Sequence, residues 1–185
     1  MDDMNGYDDG ITDKTLASYM NALRRTFVIE DLPAWSPSMR SKTALRTSAK
    51  RHFVDPSVAA AVLRISPEGL LNDFNTFGLF FESMVIRDLR VYAQANDGVV
   101  FHFRDKNGLE ADAIIKLYDG RWGAVEIKMG SREIDKAVDN LIKLKDKINS
   151  DKMGEPSFLA VITATEYAHT CKDGVSIVPI GCLKD

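Results

Sequence analysis

The chain has 185 residues, of which 45% are apolar and 28% charged, as is ordinary for a globular protein with one sizeable core or a medium domain beside a small one. The net charge of −3 excludes a molecule that binds nucleic acid through its overall charge, and no apolar run approaches the roughly 20 residues of a membrane span. Cys171, Cys182 and three scattered histidines lack the spacing of a zinc site, and a reduced cytoplasmic protein is a simpler interpretation than a disulfide.

The N-terminal third predicts a helix, a strand, a basic loop, a second strand and a short helix. Residues 12–26 have apolar side chains at helical spacing, with Thr12 or Asp13 as the N-cap. Residues 26–32 and 50–55 are strand candidates. This order is typical of the latter part of a winged helix, and residues 1–10 are too few and too polar to supply the missing helices. We therefore expect a partial winged-helix-like segment over residues 1–71, in a chain that begins inside a domain.

A basic run lies within this segment, because no acidic residue occurs between Leu32 and Val54. One interpretation is a solvated loop, which is the usual role of such a run. The other is a nucleic-acid contact. Its candidate residues are Arg40, Lys42, Arg46, Lys50 and Arg51.

The rest of the chain, residues 72–185, predicts a second domain with helices at 77–96 and 131–149, the latter with Ser131 as its cap. Three strand candidates lie between these helices, and two more follow the second helix. They cover residues 99–105, 109–118, 121–130, 157–163 and 175–180. The order of helix, three strands, helix and strand predicts a mixed α/β fold.

Four polar residues stand out against this apolar pattern. Glu82 lies within an apolar helical stripe formed by Leu79, Ile86 and Leu89. Asp112 lies on one strand, and Glu126 and Lys128 lie two residues apart on the next. Taken alone, Glu126 and Lys128 are most simply a surface ion pair, and Glu110 is simply solvated.

A functional interpretation makes a structural demand on the hairpin between these strands. A two-residue loop at 119–120 would pair Ala113 with Glu126 and leave Asp112 on the opposite face. A three-residue loop at 119–121 would pair Asp112 with Lys128 and bring Glu126 diagonally close. The sequence therefore predicts an odd loop or a bulge here if the acids act together.

These residue types suit a divalent metal site. Mg²⁺ prefers oxygen ligands and is usually held by one or two carboxylates together with water. Asp112 and Glu126 are the candidate ligands, the backbone carbonyl of Ile127 could add another, and Glu82 could tune the site or hold a second ion. Lys128 would orient or help to deprotonate a water and offset negative charge.

The combination of these motifs resembles a known superfamily. Glu-Ala-Asp at 110–112 and Val-Glu-Ile-Lys at 125–128 resemble two motifs of the PD-(D/E)XK nuclease-like superfamily, with Ala111 replacing the proline. From about residue 11 to about residue 165, the chain is similar to the C-terminal module of prokaryotic AAA-type ATPases, which carries a domain-of-unknown-function label. The resemblance implies a restriction-endonuclease-like core, a Mg²⁺ or Mn²⁺ cofactor, and Asp112, Glu126, Lys128 and Glu82 as site residues.

The same resemblance implies an ATPase domain preceding this module. No G-x-x-x-x-G-K-[ST] motif occurs, so we expect no nucleotide hydrolysis by this chain. One functional hypothesis is a metal-dependent nuclease. The other is an inactive module that binds DNA or protein, coupled to the ATPase domain, because a fold does not establish activity.

Overall fold

The computed structural model describes residues 11–37, 48–148 and 153–183. It has a mixed α/β fold, as predicted, with five helices and a six-stranded sheet among the described residues. Within these ranges, no helix combines the length and apolar character required to cross a membrane. Both cysteines are free thiols.

The N-terminal elements follow the predicted order and add one helix. Thr12 is the N-cap of α1, because its side chain accepts a hydrogen bond from the backbone N–H of Thr15. An additional short helix, α3, lies at the predicted boundary between the two segments, where no helix was predicted. The five elements are α1 (Asp13–Arg25), β1 (Ile29–Leu32), β2 (Lys50–Phe53), α2 (Pro56–Leu63) and α3 (Pro67–Asn72).

The later elements confirm the order of helix, three strands, helix and strand. Ser131 begins a short 3₁₀ turn before the second helix and makes no capping hydrogen bond, so its predicted capping role is wrong. A two-residue strand, β7, was not predicted. The elements are α4 (Phe74–Ala95), β3 (Gly98–Arg104), β4 (Glu110–Leu117), β5 (Trp122–Lys128), α5 (Ile134–Lys147), β6 (Phe158–Thr163), β7 (His169–Thr170) and β8 (Ser176–Pro179).

The six strands have the order β3-β4-β5-β6-β8-β7. The first three form an antiparallel meander, β5, β6 and β8 run parallel, and β7 is antiparallel to β8. The parallel step from β5 to β6 requires a crossover, which α5 provides.

One hydrophobic core lies on each face of the sheet. The first contains Val85, Ile86 and Leu89 of α4, packed with apolar residues of the strands. The second contains Leu141 and Leu144 of α5. Helix α5 therefore buries its predicted apolar stripe, and α4 buries Ile86 and Leu89 of the stripe predicted for it.

The N-terminal segment contributes to both cores. Leu32 is fully buried in the core of α4, and Trp35 lies in the core of α5 beside Trp122, at a ring-centroid distance of 5.2 Å. The backbone of Trp35 also donates a hydrogen bond to the carbonyl of His102 in β3. The domain boundary at residues 71 and 72 remains a prediction.

The hairpin between β4 and β5 has the odd loop that a shared acidic site requires. Lys116 pairs with Trp122, and the backbone N–H of Leu117 donates to the carbonyl of Arg121, so the loop consists of residues 118–120. Gly120 has a φ of +95°, which the third position of such a loop requires. The predicted loop at 119–121 is one residue too late, and the continued register sets Asp112 opposite Glu126 rather than Lys128.

A bulge in β4 lies at the same level. Phe101 pairs with Ile114 and Phe103 with Ala111, so two residues of β4, Asp112 and Ala113, face the single residue His102. Ala111 therefore packs in the core of α5, whereas Ala113 packs in the core of α4. In a regular strand the two alanines would share one face, and the bulge reverses that alternation.

Candidate functional site

Helix α4 positions Glu82 at the end of the sheet. Asp73 caps the helix by accepting from the backbone N–H of Thr76, and Glu82 follows two turns later between buried residues. The predicted apolar stripe is shorter than expected, because Leu79 is 63% exposed. Glu82 therefore lies at the border between the core and the surface.

Strands β4 and β5 bring Asp112 and Glu126 together. Asp112 is 9% exposed and Glu126 only 2%. The Oδ2 atom of Asp112 accepts a hydrogen bond of 2.9 Å from the backbone N–H of Ile127. This bond fixes the carboxylate of β4 against the backbone of β5, next to Glu126.

Lys128 lies between the two acids, as the functional interpretation requires. Its Nζ atom is 2.8 Å from Oε2 of Glu126 and 3.7 Å from Oδ2 of Asp112. Glu126 and Lys128 are therefore not an isolated surface pair.

Lys50 is a member of the site that sequence reasoning assigned to a different surface. Its Nζ atom lies 3.1 Å from Oδ1 of Asp112 and 3.5 Å from Oε1 of Glu82. The resulting ion-pair chain runs in the order Glu82, Lys50, Asp112, Lys128, Glu126. We call these five residues the carboxylate–lysine cluster.

Burial and mutual repulsion favour protonation of two of the acids. Burial, reinforced by the charge of Asp112, raises the pKa of Glu126 to about 7, although Lys128 acts in the opposite direction. The pKa of Glu82 is raised for the same two reasons, with Lys50 opposing the shift. Both acids therefore keep a proton at a higher pH than a solvated carboxyl group does.

The two lysines hold their charge in spite of partial burial. Burial alone would lower the pKa of Lys50, but Asp112 and Glu82 outweigh it and raise this pKa. Burial likewise opposes the raised pKa of Lys128, for which Asp112 and Glu126 are responsible. Both ammonium groups are therefore stable cations near neutral pH.

One oxygen of the cluster is buried without a hydrogen-bond partner in the described part of the chain, namely Oε1 of Glu126. A buried, unpartnered carboxylate oxygen is costly unless a cation or water satisfies it. Among the described residues, however, no three His, Cys, Asp or Glu side chains are arranged to hold a metal together. A divalent ion here would therefore depend on two carboxylates, completed by backbone oxygen and water, which is how Mg²⁺ is commonly held.

A cleft of about 530 Å³ adjoins the cluster. Lys50 and Glu82 line it at the cluster, and the rest of the lining includes Arg51, His52, Ser83 and apolar residues of α1, β1, β2 and α4. Burial, followed by the charge of Lys50, lowers the pKa of His52 to about 4, so this side chain is neutral at physiological pH.

The predicted basic patch is only partly described. Arg40, Lys42 and Arg46 lie outside the described residues, whereas Arg51 is exposed and Lys50 belongs to the cluster. Arg24 of α1 makes two hydrogen bonds with Asp31, at 2.8 and 3.1 Å. Glu110 is half-buried, and its Oε2 atom lies 4.0 Å from Nε of Arg104.

Comparisons with known protein families give two matches. A model described as a domain of unknown function (DUF8612) matches residues 4–69, and another described as a domain of unknown function (DUF4143) matches residues 77–183. No curated protein and no solved structure matches the chain. The second match covers more than half of the sequence and contains Glu82, Asp112, Glu126 and Lys128, so the chain belongs to the family of the domain of unknown function DUF4143.

Proposed function

We propose that the chain carries a Mg²⁺- or Mn²⁺-dependent nuclease-like site that acts on phosphodiesters of nucleic acid. The observation that carries this proposal is the convergence of Asp112, Glu126 and Lys128 at the ends of two paired strands. A buried acid pair with an adjacent lysine suits metal-assisted phosphodiester hydrolysis, because the acids can hold the ion and the lysine can offset negative charge.

The order of the elements supports the proposal. A helix, an antiparallel three-stranded meander, a crossover helix and a parallel strand follow each other in the chain, with α4 and α5 on opposite faces of the sheet. This order is similar to that of a restriction-endonuclease-like core, and the motifs at 110–112 and 125–128 resemble those of the same superfamily. Fold likeness alone does not establish activity, so the proposal depends on the site.

The donor set fits a hard divalent ion. Asp112 and Glu126 would hold it with the carbonyl of Ile127 and water, and Oε1 of Glu126 is an unpartnered oxygen within the described residues. Bound there, the ion would polarise the phosphate and lower the pKa of a coordinated water. Lys128 would hold a water or a phosphate oxygen beside Glu126.

The charged groups beside the cleft suit a polyanionic substrate. Lys50 and Arg51, two residues of the predicted basic patch, line it. Arg24 is held by Asp31, which argues against α1 as a helix that reads DNA in the major groove. We propose that substrate contact is made through the cleft and the basic patch.

The partner that we propose for this module is an AAA-type ATPase domain in the same protein. The basis is the sequence resemblance from about residue 11 to about residue 165. In that arrangement the ATPase would move or load the nucleic acid, and the site described here would act on it.

Cleavage assays test the proposal. Labelled single-stranded and double-stranded DNA and RNA are incubated with the protein and Mg²⁺ or Mn²⁺, beside Asp112→Asn and a control, Glu155→Gln. Glu155 is an exposed acid paired with Lys145, and it lies beside the hairpin loop at the other end of β4 from Asp112. Cleavage that survives in the control and is lost in Asp112→Asn supports the proposal, whereas equal activity in all three proteins indicates a contaminant and contradicts it.

A second candidate function is a non-catalytic module that binds DNA or a protein partner. The favouring observation is that Lys50 and Lys128 already neutralise most of the charge of the acids, as in a structural ion-pair network. The salt dependence of binding distinguishes a DNA partner from a protein partner, because phosphate contacts weaken steeply with salt and apolar docking does not.

A further inference from the structure

Lys50 comes from a different part of the chain than the other members of the cluster. It is the first residue of β2, within the N-terminal family match at 4–69, whereas Glu82, Asp112 and Glu126 lie within the match at 77–183. Lys50 and Asp112 are 62 positions apart. The site is therefore assembled from both regions.

The position of Lys50 conflicts with that of a bound divalent ion. Its ammonium group donates a hydrogen bond to Oδ1 of Asp112 and lies 3.5 Å from Oε1 of Glu82. The backbone N–H of Ile127 donates a hydrogen bond to Oδ2 of Asp112. Each oxygen of Asp112 thus already has a positively polarised partner. A metal ion that used Asp112 would meet the charge of Lys50 at short range.

The surroundings of Lys50 leave room for its ammonium group to move away from Asp112 and Glu82. Its side chain is 27% exposed, and it lines the cleft of about 530 Å³ beside the cluster. A lysine has a long flexible stem, so the ammonium group could turn into the cleft without a change in the pairing of β2.

We propose that Lys50 is an internal cation that bridges Glu82 and Asp112 and must be displaced when a divalent metal ion binds the site. This inference rests on the proposed metal site. Lys50 is then a positioning residue, because it keeps the two acids close while no metal neutralises them. Because Lys50 lies on β2, the affinity of the site for metal then depends on the position in which the N-terminal segment holds that strand.

The test is a calorimetric titration of Mn²⁺ into the wild-type chain, Lys50→Met and Arg51→Met. Methionine preserves the length of the stem and removes the charge, and Arg51 is the exposed neighbour of Lys50 in the same strand. We expect Lys50→Met to bind Mn²⁺ at least about tenfold more tightly than the wild type, because a competing charge has gone. Arg51→Met should change the affinity far less.

The outcomes separate this inference from the proposed function. Wild-type binding that Lys50→Met leaves unchanged or weakens overturns the inference but preserves the metal site. Tighter binding by Lys50→Met than by the wild type, or binding by Lys50→Met alone, supports the inference when Asp112→Asn removes it in the same background. No binding by either protein overturns both.

A second measurement uses only the wild-type chain, so it does not depend on the folding of a variant. Acetylation of lysines in the wild-type chain is followed by mass spectrometry with and without Mn²⁺. We expect Mn²⁺ to increase the labelling of Lys50, while Lys116 on the opposite end of β4 keeps its rate. Unchanged or reduced labelling of Lys50 under conditions where Mn²⁺ binds would contradict its displacement.

Discussion

The carboxylate of Asp112 accepts a hydrogen bond of 2.9 Å from the backbone N–H of Ile127, across the hairpin that joins β4 and β5. The bond places a buried acid at a bulge and ties it to the strand that carries Glu126. We expect Asp112→Ala to be less stable than Asp112→Asn by about 1–3 kcal/mol, because only asparagine retains an acceptor for the buried N–H. Urea denaturation of both variants measures this difference.

Since both substitutions remove the charge of Asp112, the comparison cancels its effects on Lys50 and Lys128. Equal stability of the two variants would mean that the hydrogen bond does not position Asp112.

Glu126 should make stability depend on pH in a particular direction. Its pKa in the folded chain is about 7, above its ordinary value of 4.5, so the folded chain binds the proton more tightly. Stability should therefore fall as pH rises from about 4.5 to about 7, by up to about 3 kcal/mol. Glu126→Gln should lack this decrease, so its stability relative to the wild type should grow over that window, as chemical denaturation at several pH values would measure. Parallel pH profiles for the two proteins would rule out the shifted pKa.

His52 should make stability depend on pH in the opposite direction to Glu126. Its pKa is lowered from 6.5 to about 4 by burial and by Lys50, so the unfolded chain binds the proton more tightly. Stability from this group should fall as pH drops from about 6.5 to about 4, by up to about 3 kcal/mol. In thermal melts, His52→Gln should lose less stability on acidification than the wild type does. His169→Gln, at an exposed position, should lose as much stability as the wild type. A wild-type profile in His52→Gln would refute this assignment.

Gly120 should be required for the hairpin that aligns the site. Its φ of +95° is costly for any residue with a side chain, and a Cβ there would otherwise meet open space. Gly120→Ala should therefore destabilise the chain by about 1 kcal/mol through backbone strain alone. Gly181→Ala, a glycine without such a φ and with open space around it, is the matched control in the same denaturation experiment. Equal effects of the two substitutions would argue against a strained loop.

Sequence patterns predicted most of the elements because they depend on local periodicity. The apolar stripe of α5 and the strands of the meander follow directly from spacings of 3.6 and 2 residues. Helix α3 was missed although Ser66 and Pro67 provide a cap and a first-turn proline, because its six residues lie at the predicted boundary between the two segments.

The site was predicted only in part, because its geometry depends on features without a local signal. The loop at 118–120 differs by one residue from the predicted loop, and the bulge at Asp112 and Ala113 has no distinctive sequence. Lys50 was placed on a basic loop, since nothing in the sequence links it to Asp112 at a separation of 62 residues.

The central claim is that Asp112 and Glu126 hold a divalent metal ion, and calorimetric titration of Mg²⁺ and Mn²⁺ tests it most directly. The wild-type chain is compared with Asp112→Asn, Glu126→Gln and the control Glu155→Gln, each confirmed to be folded by circular dichroism. We expect binding in the wild type and in the control, and no binding in either site variant. Binding that survives both site substitutions, or its absence from the wild type and from Lys50→Met alike, would contradict the claim.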